Sequence, residues 1–247
     1  MPDYVKGFAE FLARTGALFF AEGLKLKDGR PTPYFINLGQ VNTGRLGLEL
    51  ASFYAQMLVA EGLMSQGLVL VGPSYKASAL AALTAAELWA KHGLEVAYDY
   101  DRKEAKAHGE ASGQEKTFVT GALQTAKEAI ILDDVATSMA TKLKLVEKIR
   151  AAAPKLKIKA VVIGVDRQQT QPVYDQAGRL IERAKGEDAI KAFTKQTGIP
   201  VLAVAKIREI VEHLYAAQIP VLVNGTRRGL TAEDKRLFDD YLALYGH

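Results

Sequence analysis

None of the 247 residues is a cysteine, which excludes disulfides, thiolate metal sites and a cysteine nucleophile. A cysteine-free chain is compatible with a reducing cytoplasm, and a cytoplasmic location is expected. No window approaches about 18 uninterrupted apolar residues, so no membrane span is expected. Residues 1–7 lack the basic-then-apolar pattern of a secretory leader. No repeat at a period of about 20–50 residues is visible, and no low-complexity tract, so a repeat architecture is not expected.

What is present is ordinary for a globular protein: 49% hydrophobic and 24% charged residues. The length suits one large α/β domain, or one domain with a small appendage, and allows a full core without staples. The net charge of +4 suits nucleic acid or a small polyanionic substrate equally and does not choose between them.

Hydrophobic periodicity gives the architecture. Residues 1–25 read as a helix with Phe8, Phe11 and Leu12 on one face and Gly16 as a stop, and 26–39 as loop and short strand. A helix over 46–62 carries Leu46, Leu50, Phe53 and Met57 on one side. Strands then alternate with helices. The strands are 68–71, 95–98, 129–132, 159–165 and 201–204; the helices are 78–92, 142–152, 187–197 and 207–215. Such alternation predicts crossover units on a parallel sheet, hence a doubly wound α/β fold. Beyond residue 216, residues 219–223 read as an edge strand. A last helix starts near Thr231, with Leu237, Phe238, Tyr241 and Tyr245 as its apolar face.

The most informative segment is Ile130-Ile131-Leu132-Asp133-Asp134-Val135-Ala136-Thr137-Ser138. Two adjacent carboxylates follow an apolar strand. In an open parallel sheet ligands bind beyond the carboxyl ends of the strands. Carboxylates placed there accept hydrogen bonds from vicinal sugar hydroxyls. Thr137, Ser138 and Thr141, with the following amides, open a helix and offer a phosphate seat. The competing reading is that Asp133 and Asp134 merely cap the next helix.

A strand, two acids and a hydroxyl-rich loop resemble the phosphoribosyl-pyrophosphate signature of the type I phosphoribosyltransferases. Four further segments resemble their orotate-specific branch. These are Leu26-Lys27-Asp28-Gly29-Arg30-Pro31-Thr32-Pro33-Tyr34-Phe35-Ile36-Asn37-Leu38-Gly39, Gly72-Pro73-Ser74-Tyr75-Lys76, Arg102-Lys103-Glu104-Ala105-Lys106-Ala107-His108-Gly109-Glu110 and Val165-Asp166-Arg167-Gln168. The matches keep the family's order over about residues 18–215. Arg102, Lys103, Lys106 and His108 put four donors within seven residues, a density that repels itself when empty and suits a pyrophosphate. Read alone, the same run is a solvated surface loop.

The resemblance implies a type I phosphoribosyltransferase-like fold, with residues 1–45 contributing to a small N-terminal hood and 216–247 forming an extension with no assigned role, all in one domain. It implies transfer of the phosphoribosyl group from phosphoribosyl pyrophosphate to orotate, with inversion at the ribosyl carbon and magnesium as cofactor. The resemblance also implies catalytic roles for Lys106, Asp133 and Asp134. Lys27, Phe35, Tyr75, Lys76, Arg102, Lys103, His108, Thr137, Ser138, Thr141 and Arg167 contact substrate, with Arg167 pairing with the orotate carboxylate. The family's shared active sites imply a homodimer; neither nucleic acid nor a membrane is an expected partner. The chain departs from the family pattern at Met139 and Ala140, where glycine and threonine are usual. Met139 brings a side chain and a penalty for positive φ to the phosphate loop, and Lys142 is a candidate to compensate. A transferase for another base, or a nucleotide-sensing regulator on the same fold, are the alternatives.

Overall fold

Five parallel strands carry the structure, a computed structural model in which residues 1–102, 117–135 and 139–247 are described. They are β3 (Leu68–Gly72), β4 (Ala97–Tyr100), β5 (Glu128–Val135), β6 (Lys157–Asp166) and β7 (Val201–Lys206), in the order β4-β3-β5-β6-β7. Among the described residues no helix is long and apolar enough to cross a membrane. Residues such as Val69, Leu70, Ile130, Ile131, Val162 and Ile163 are fully buried, as expected where both sheet faces are covered.

The pleat divides them between two cores. Leu70, Ile130, Leu132 and Val162 pack with α1 (Asp3–Thr15), α2 (Gly44–Ala60), α3 (Lys76–His92) and α6 (Ile207–Ala216). Val69, Ala129, Ile131 and Val161 pack with α4 (Ala140–Ala152) and α5 (Ala189–Thr197). The doubly wound α/β expectation therefore holds. The termini of several helices follow local chemistry: Gly16, Gly93 and Gly198 close α1, α3 and α5 in the left-handed conformation, and the Asp188 carboxylate caps α5.

A second sheet of four strands has the order β2-β1-β8-β9, from β1 (Leu18–Phe20), β2 (Tyr34–Ile36), β8 (Val221–Val223) and β9 (Thr226–Arg228). Three expectations are corrected here. The first helix ends at Thr15, because Gly16 at φ 72 turns the chain into β1, so residues 1–25 are not one helix. Residues 221–223 are not an edge strand; β8 pairs parallel with β1 and antiparallel with β9. In the last helix, α7 (Ala232–Tyr245), Leu237 is 44% exposed while Phe238, Tyr241 and Tyr245 are buried. Leu237 immediately precedes Phe238, about 100° round the helix from it.

Gly72, the last residue of β3, is where the chain must turn sharply. A Cβ there would lie 1.9 Å from the Ala77 carbonyl oxygen, a backbone atom that cannot rotate away. Gly72→Ala is expected to lower the unfolding free energy by about 3 kcal/mol through overpacking, read as a fall in the denaturant midpoint at unchanged slope. An unchanged midpoint would show that the loop after β3 moves freely.

Candidate active site

The order of strands dictates where a ligand fits. From β3 the chain crosses to β4 on one side, and then to β5 on the other. The strand order thus reverses between β3 and β5, and the crevice beyond their carboxyl ends is the usual ligand position of such sheets. Val71 of β3 pairs with Ile131 of β5, so Leu132–Val135 overhang the point where β3 turns away at Gly72. A cleft of about 460 Å³ lies there, lined by Phe35, Tyr75, Lys76, Asp133, Asp134, Thr141, Lys142 and Arg167 among others. A larger cavity of about 800 Å³ between β1, β8 and α7 shares none of these residues and holds no part of the acid pair.

Asp133 and Asp134 both belong to β5, so the pleat sends their side chains to opposite faces. Asp133 Oδ1 accepts the Asp134 N–H at 2.9 Å, and its Oδ2 is ion-paired with Lys142 of α4. Lys142 Nζ also donates to the Val135 carbonyl oxygen at 3.0 Å. From the other side, the buried Tyr54 hydroxyl donates to the Asp133 carbonyl oxygen at 2.8 Å. Burial, with Asp134 and Asp133 nearby, pushes this hydroxyl well above its ordinary pKa. Burial and the adjacent Asp133 carboxylate raise the pKa of Asp134, against the Val135 N–H and the cations Lys142 and Lys76. Neither acid caps α4. Its N-cap is Met139, without a side-chain cap, which removes the capping alternative.

Met139 takes the positive φ that a glycine would take, at φ 58 and ψ −2. Its side chain is 2% exposed and packs in the core with Leu145, Val146 and Ile149, not into the cleft. The left-handed conformation costs about 1–2 kcal/mol, which burial of a methionine side chain, about 1.5–3 kcal/mol, offsets. The Met139 side chain is thus turned into the core and is not among the residues that line the cleft. Lys142, the candidate compensating charge, is engaged by Asp133 instead.

Arg167 follows β6, in a turn held by the Asp166 carboxylate, which accepts the Gln168 N–H at 2.8 Å. Its guanidinium is buried, and Nε and Nη2 make no well-aligned hydrogen bond among the described residues, although the Tyr34 hydroxyl is close enough to interact with the group. The group lies 5.4 Å over the ring of Tyr34, itself fully buried. Burial pushes the Tyr34 hydroxyl up to about 12, although the Arg167 charge opposes it. Phe238 and Tyr241 of α7 pack on Tyr34 at 5.5 and 6.0 Å between centroids. The C-terminal helix thus backs the arginine through one aromatic ring, a role that nothing in its own sequence announces.

The remaining predicted residues divide. Phe35, half-buried beside Phe19, and Tyr75, Lys76 and Thr141, all exposed, line the cleft. Lys27 is exposed on the turn closed by Gly29 N–H to Leu26 oxygen and is not among the lining residues. Arg102 is half-buried, and its N–H donates to the Thr117 oxygen at 2.8 Å. Lys103, Lys106, His108, Thr137 and Ser138 lie outside the described residues.

Two acids escaped the sequence reading. Asp99, fully buried, accepts N–H groups from Tyr100, Val119 and Thr120 at 2.9, 3.1 and 2.9 Å, tying residues 117–120 to β4. Asp101, 8% exposed, accepts the Ser74 N–H at 2.9 Å and is ion-paired with Lys148, joining the loop after β3 to α4. The strand falls at Ala97–Tyr100 and not 95–98, which places Asp99 within it and Asp101 just beyond its end. Their alternation with Tyr98 and Tyr100 was the available signal.

Among the described residues there is no group of three or more His, Asp or Glu side chains placed to hold a metal ion. Magnesium takes most of its oxygens from water and phosphate, so a single carboxylate at the cleft wall, such as Asp134, is compatible with that ion.

A parallel doubly wound sheet with an acid pair at the switch point is the arrangement that the resemblance to type I phosphoribosyltransferases implies. No family model matches the chain. An orotate phosphoribosyltransferase of Bifidobacterium adolescentis is 36% identical over 245 residues, 97% of this chain and 96% of that one. One from Methylococcus capsulatus is 35% identical over 247 residues, 100% and 99% of the two chains. The crystal structure of orotate phosphoribosyltransferase from Francisella tularensis matches with a TM-score of 0.74 at 28% identity, covering 97% of this chain and 99% of that one. The chain belongs to the orotate phosphoribosyltransferase family.

The raised pKa of Asp134 has a definite sign. A carboxyl group whose folded pKa exceeds its unfolded value adds stability below the unfolded pKa, and that stability is lost as pH rises through the folded pKa. Asp134→Asn is therefore expected to be more stable than wild type at about pH 7, with the advantage disappearing below the ordinary aspartate value of 3.8. Denaturant midpoints at the two pH values check it; a variant less stable at neutral pH contradicts the burial argument.

Proposed function

We propose that this protein transfers the 5-phosphoribosyl group from phosphoribosyl pyrophosphate to a ring nitrogen of orotate, releasing pyrophosphate and forming orotidine 5-monophosphate. The observation that carries the reading is the Arg167 guanidinium, buried at the cleft with Nε and Nη2 unpartnered among the described residues. A planar fork of donors in that state fits a planar carboxylate bidentately. Orotate carries such a carboxylate; uracil and the purine bases do not, which disfavours a transferase for another base.

In this reading Asp133 and Asp134 accept hydrogen bonds from the ribose hydroxyls. Phe35 borders the base, and Lys76, Tyr75 and Thr141 stand at the cleft wall toward the phosphates. The bond from the ring nitrogen to the ribosyl carbon forms as the bond to pyrophosphate breaks, and the electron pair leaves with pyrophosphate. Positive charge then grows on the ribosyl carbon. The fixed carboxylates stabilise it without reorganising, which is the favourable arrangement for electrostatic catalysis. Charge on the leaving group is met by cations, for which Arg102, Lys103, Lys106 and His108 are the candidates. Lys27 is assigned to the same substrate. Magnesium, when bound, would neutralise diphosphate charge and take its oxygens mostly from substrate and water, with the Asp133 or Asp134 carboxylate as the protein group available to it. Thr137 and Ser138 are proposed to complete the 5-phosphate seat at the start of α4. The small sheet of β1, β2, β8 and β9 serves as a hood. A homodimer with shared sites and a cytoplasmic location belong to the same proposal.

Arg167→Ala is expected to raise the KM for orotate by about ten- to a hundredfold, the worth of a charge-assisted bidentate contact at about 1.5–3 kcal/mol. The KM for phosphoribosyl pyrophosphate should stay within about twofold. Steady-state kinetics with each substrate varied in turn decides it, and equal effects on both substrates would remove Arg167 from the base site.

A further inference from the structure

Lys142 is the least expected cation in the cleft. It stands in the first turn of α4, where the positive end of the helix dipole disfavours a cation. It is only 5% exposed, and a buried ammonium is costly unless an anion meets it. Asp133 meets it. With Oδ2 on Lys142 and Oδ1 accepting the Asp134 N–H, both Asp133 oxygens already have a partner. The Val135 carbonyl oxygen takes a further Lys142 proton at 3.0 Å, so the ammonium bridges the acid at one end of the pair and the backbone just beyond the other. Lys76, exposed at the start of α3, acts on Asp134 from the other face of the sheet. The formal charge of the pair is thus reduced before any ligand arrives.

We propose that Lys142 is a resident counter-cation of the acid pair. As a positioning residue it holds the Asp133 carboxylate in one orientation for substrate hydroxyls, and it keeps divalent cations off the pair in the substrate-free protein. The inference rests on the cleft being the phosphoribosyl pyrophosphate site, but its charge argument concerns the free protein and is tested without turnover. Two neighbouring carboxylates, though on opposite faces of the strand, add their charges to attract a hard divalent ion when no cation is seated on either. A lysine already seated on one of them both repels that ion and withholds an oxygen from it.

The probe is manganese, titrated into the substrate-free full-length protein and followed by the electron paramagnetic resonance of the free ion. Wild type is expected to show no saturable site up to about one millimolar. Lys142→Met, close in shape and uncharged, should gain one site at least about tenfold tighter than any wild-type binding. Adding Asp133→Asn to it should abolish that site, while circular dichroism and denaturant unfolding show both variants folded. A Lys142→Met protein that binds manganese no more tightly than wild type would overturn the proposal. A gained site that survives Asp133→Asn would do the same. Should Lys142→Met not fold, the wild type decides: a manganese site below one millimolar that Asp133→Asn removes sinks the proposal, and its absence supports it. Absence of phosphoribosyl transfer alongside the expected manganese pattern would count against the functional reading and leave the counter-cation role standing.

Discussion

A guanidinium buried with two nitrogens unpartnered among the described residues is costly for a fold to hold, and the surroundings of Arg167 are built around it. The donors cannot be neutralised by deprotonation, since arginine keeps its charge in proteins. The Tyr34 ring beneath the guanidinium supplies a weak attraction. Tyr34 is held in turn by Phe238 and Tyr241, and Tyr245 lies under the buried Arg30. Arg30 pairs with Asp28 and donates to the Thr170 oxygen at 2.7 Å, so its own hydrogen bonds are largely met. Of these two buried arginines, one is knitted into the framework and the other is left wanting an anion. That contrast separates a structural from a ligand-directed arginine more sharply than burial alone.

The acid pair depends on the same economy of charge. An alternating strand puts its two carboxylates on opposite faces, so each meets a different helix: Asp133 meets Lys142 of α4, and Asp134 lies toward Lys76 of α3. The overhang of β5 past β3 leaves both at the cleft wall. Asp101 ties the loop after β3 to α4 and so couples the two walls of the cleft mechanically. Geometry of this kind supports a site in which substrate is positioned and charge is stabilised, with no side chain forming a covalent intermediate.

Much of this was legible in the sequence. The apolar runs Leu68–Val71 and Ala129–Leu132 have no polar face, so burial on both sides and hence a parallel sheet followed from composition. Asp133 and Asp134 were legible because they end such a run, and Arg167 because a resemblance placed it. The pairing of β8 with β1 was not legible, since nothing local links residue 222 to residue 19 across some 200 positions. Nor was the direction of the Met139 side chain, which depends on a hydrophobic pocket assembled by α4. Lys142 was read as a free charge for phosphate; only the pleat of β5 showed that a carboxylate lay within its reach. The aromatic support of Arg167 by α7 joins residues 34, 167 and 241, a contact set by the fold and by no periodicity.

The central claim is that the cleft at the β3–β5 switch point joins orotate to a phosphoribosyl group. The most direct measurement is to mix the purified protein with orotate, phosphoribosyl pyrophosphate and magnesium, and follow loss of orotate absorbance and release of pyrophosphate together. Orotate should be consumed with one pyrophosphate released per orotate, while uracil in its place gives neither signal. Tight binding of both substrates without consumption of orotate, or equal turnover of uracil, would contradict the account.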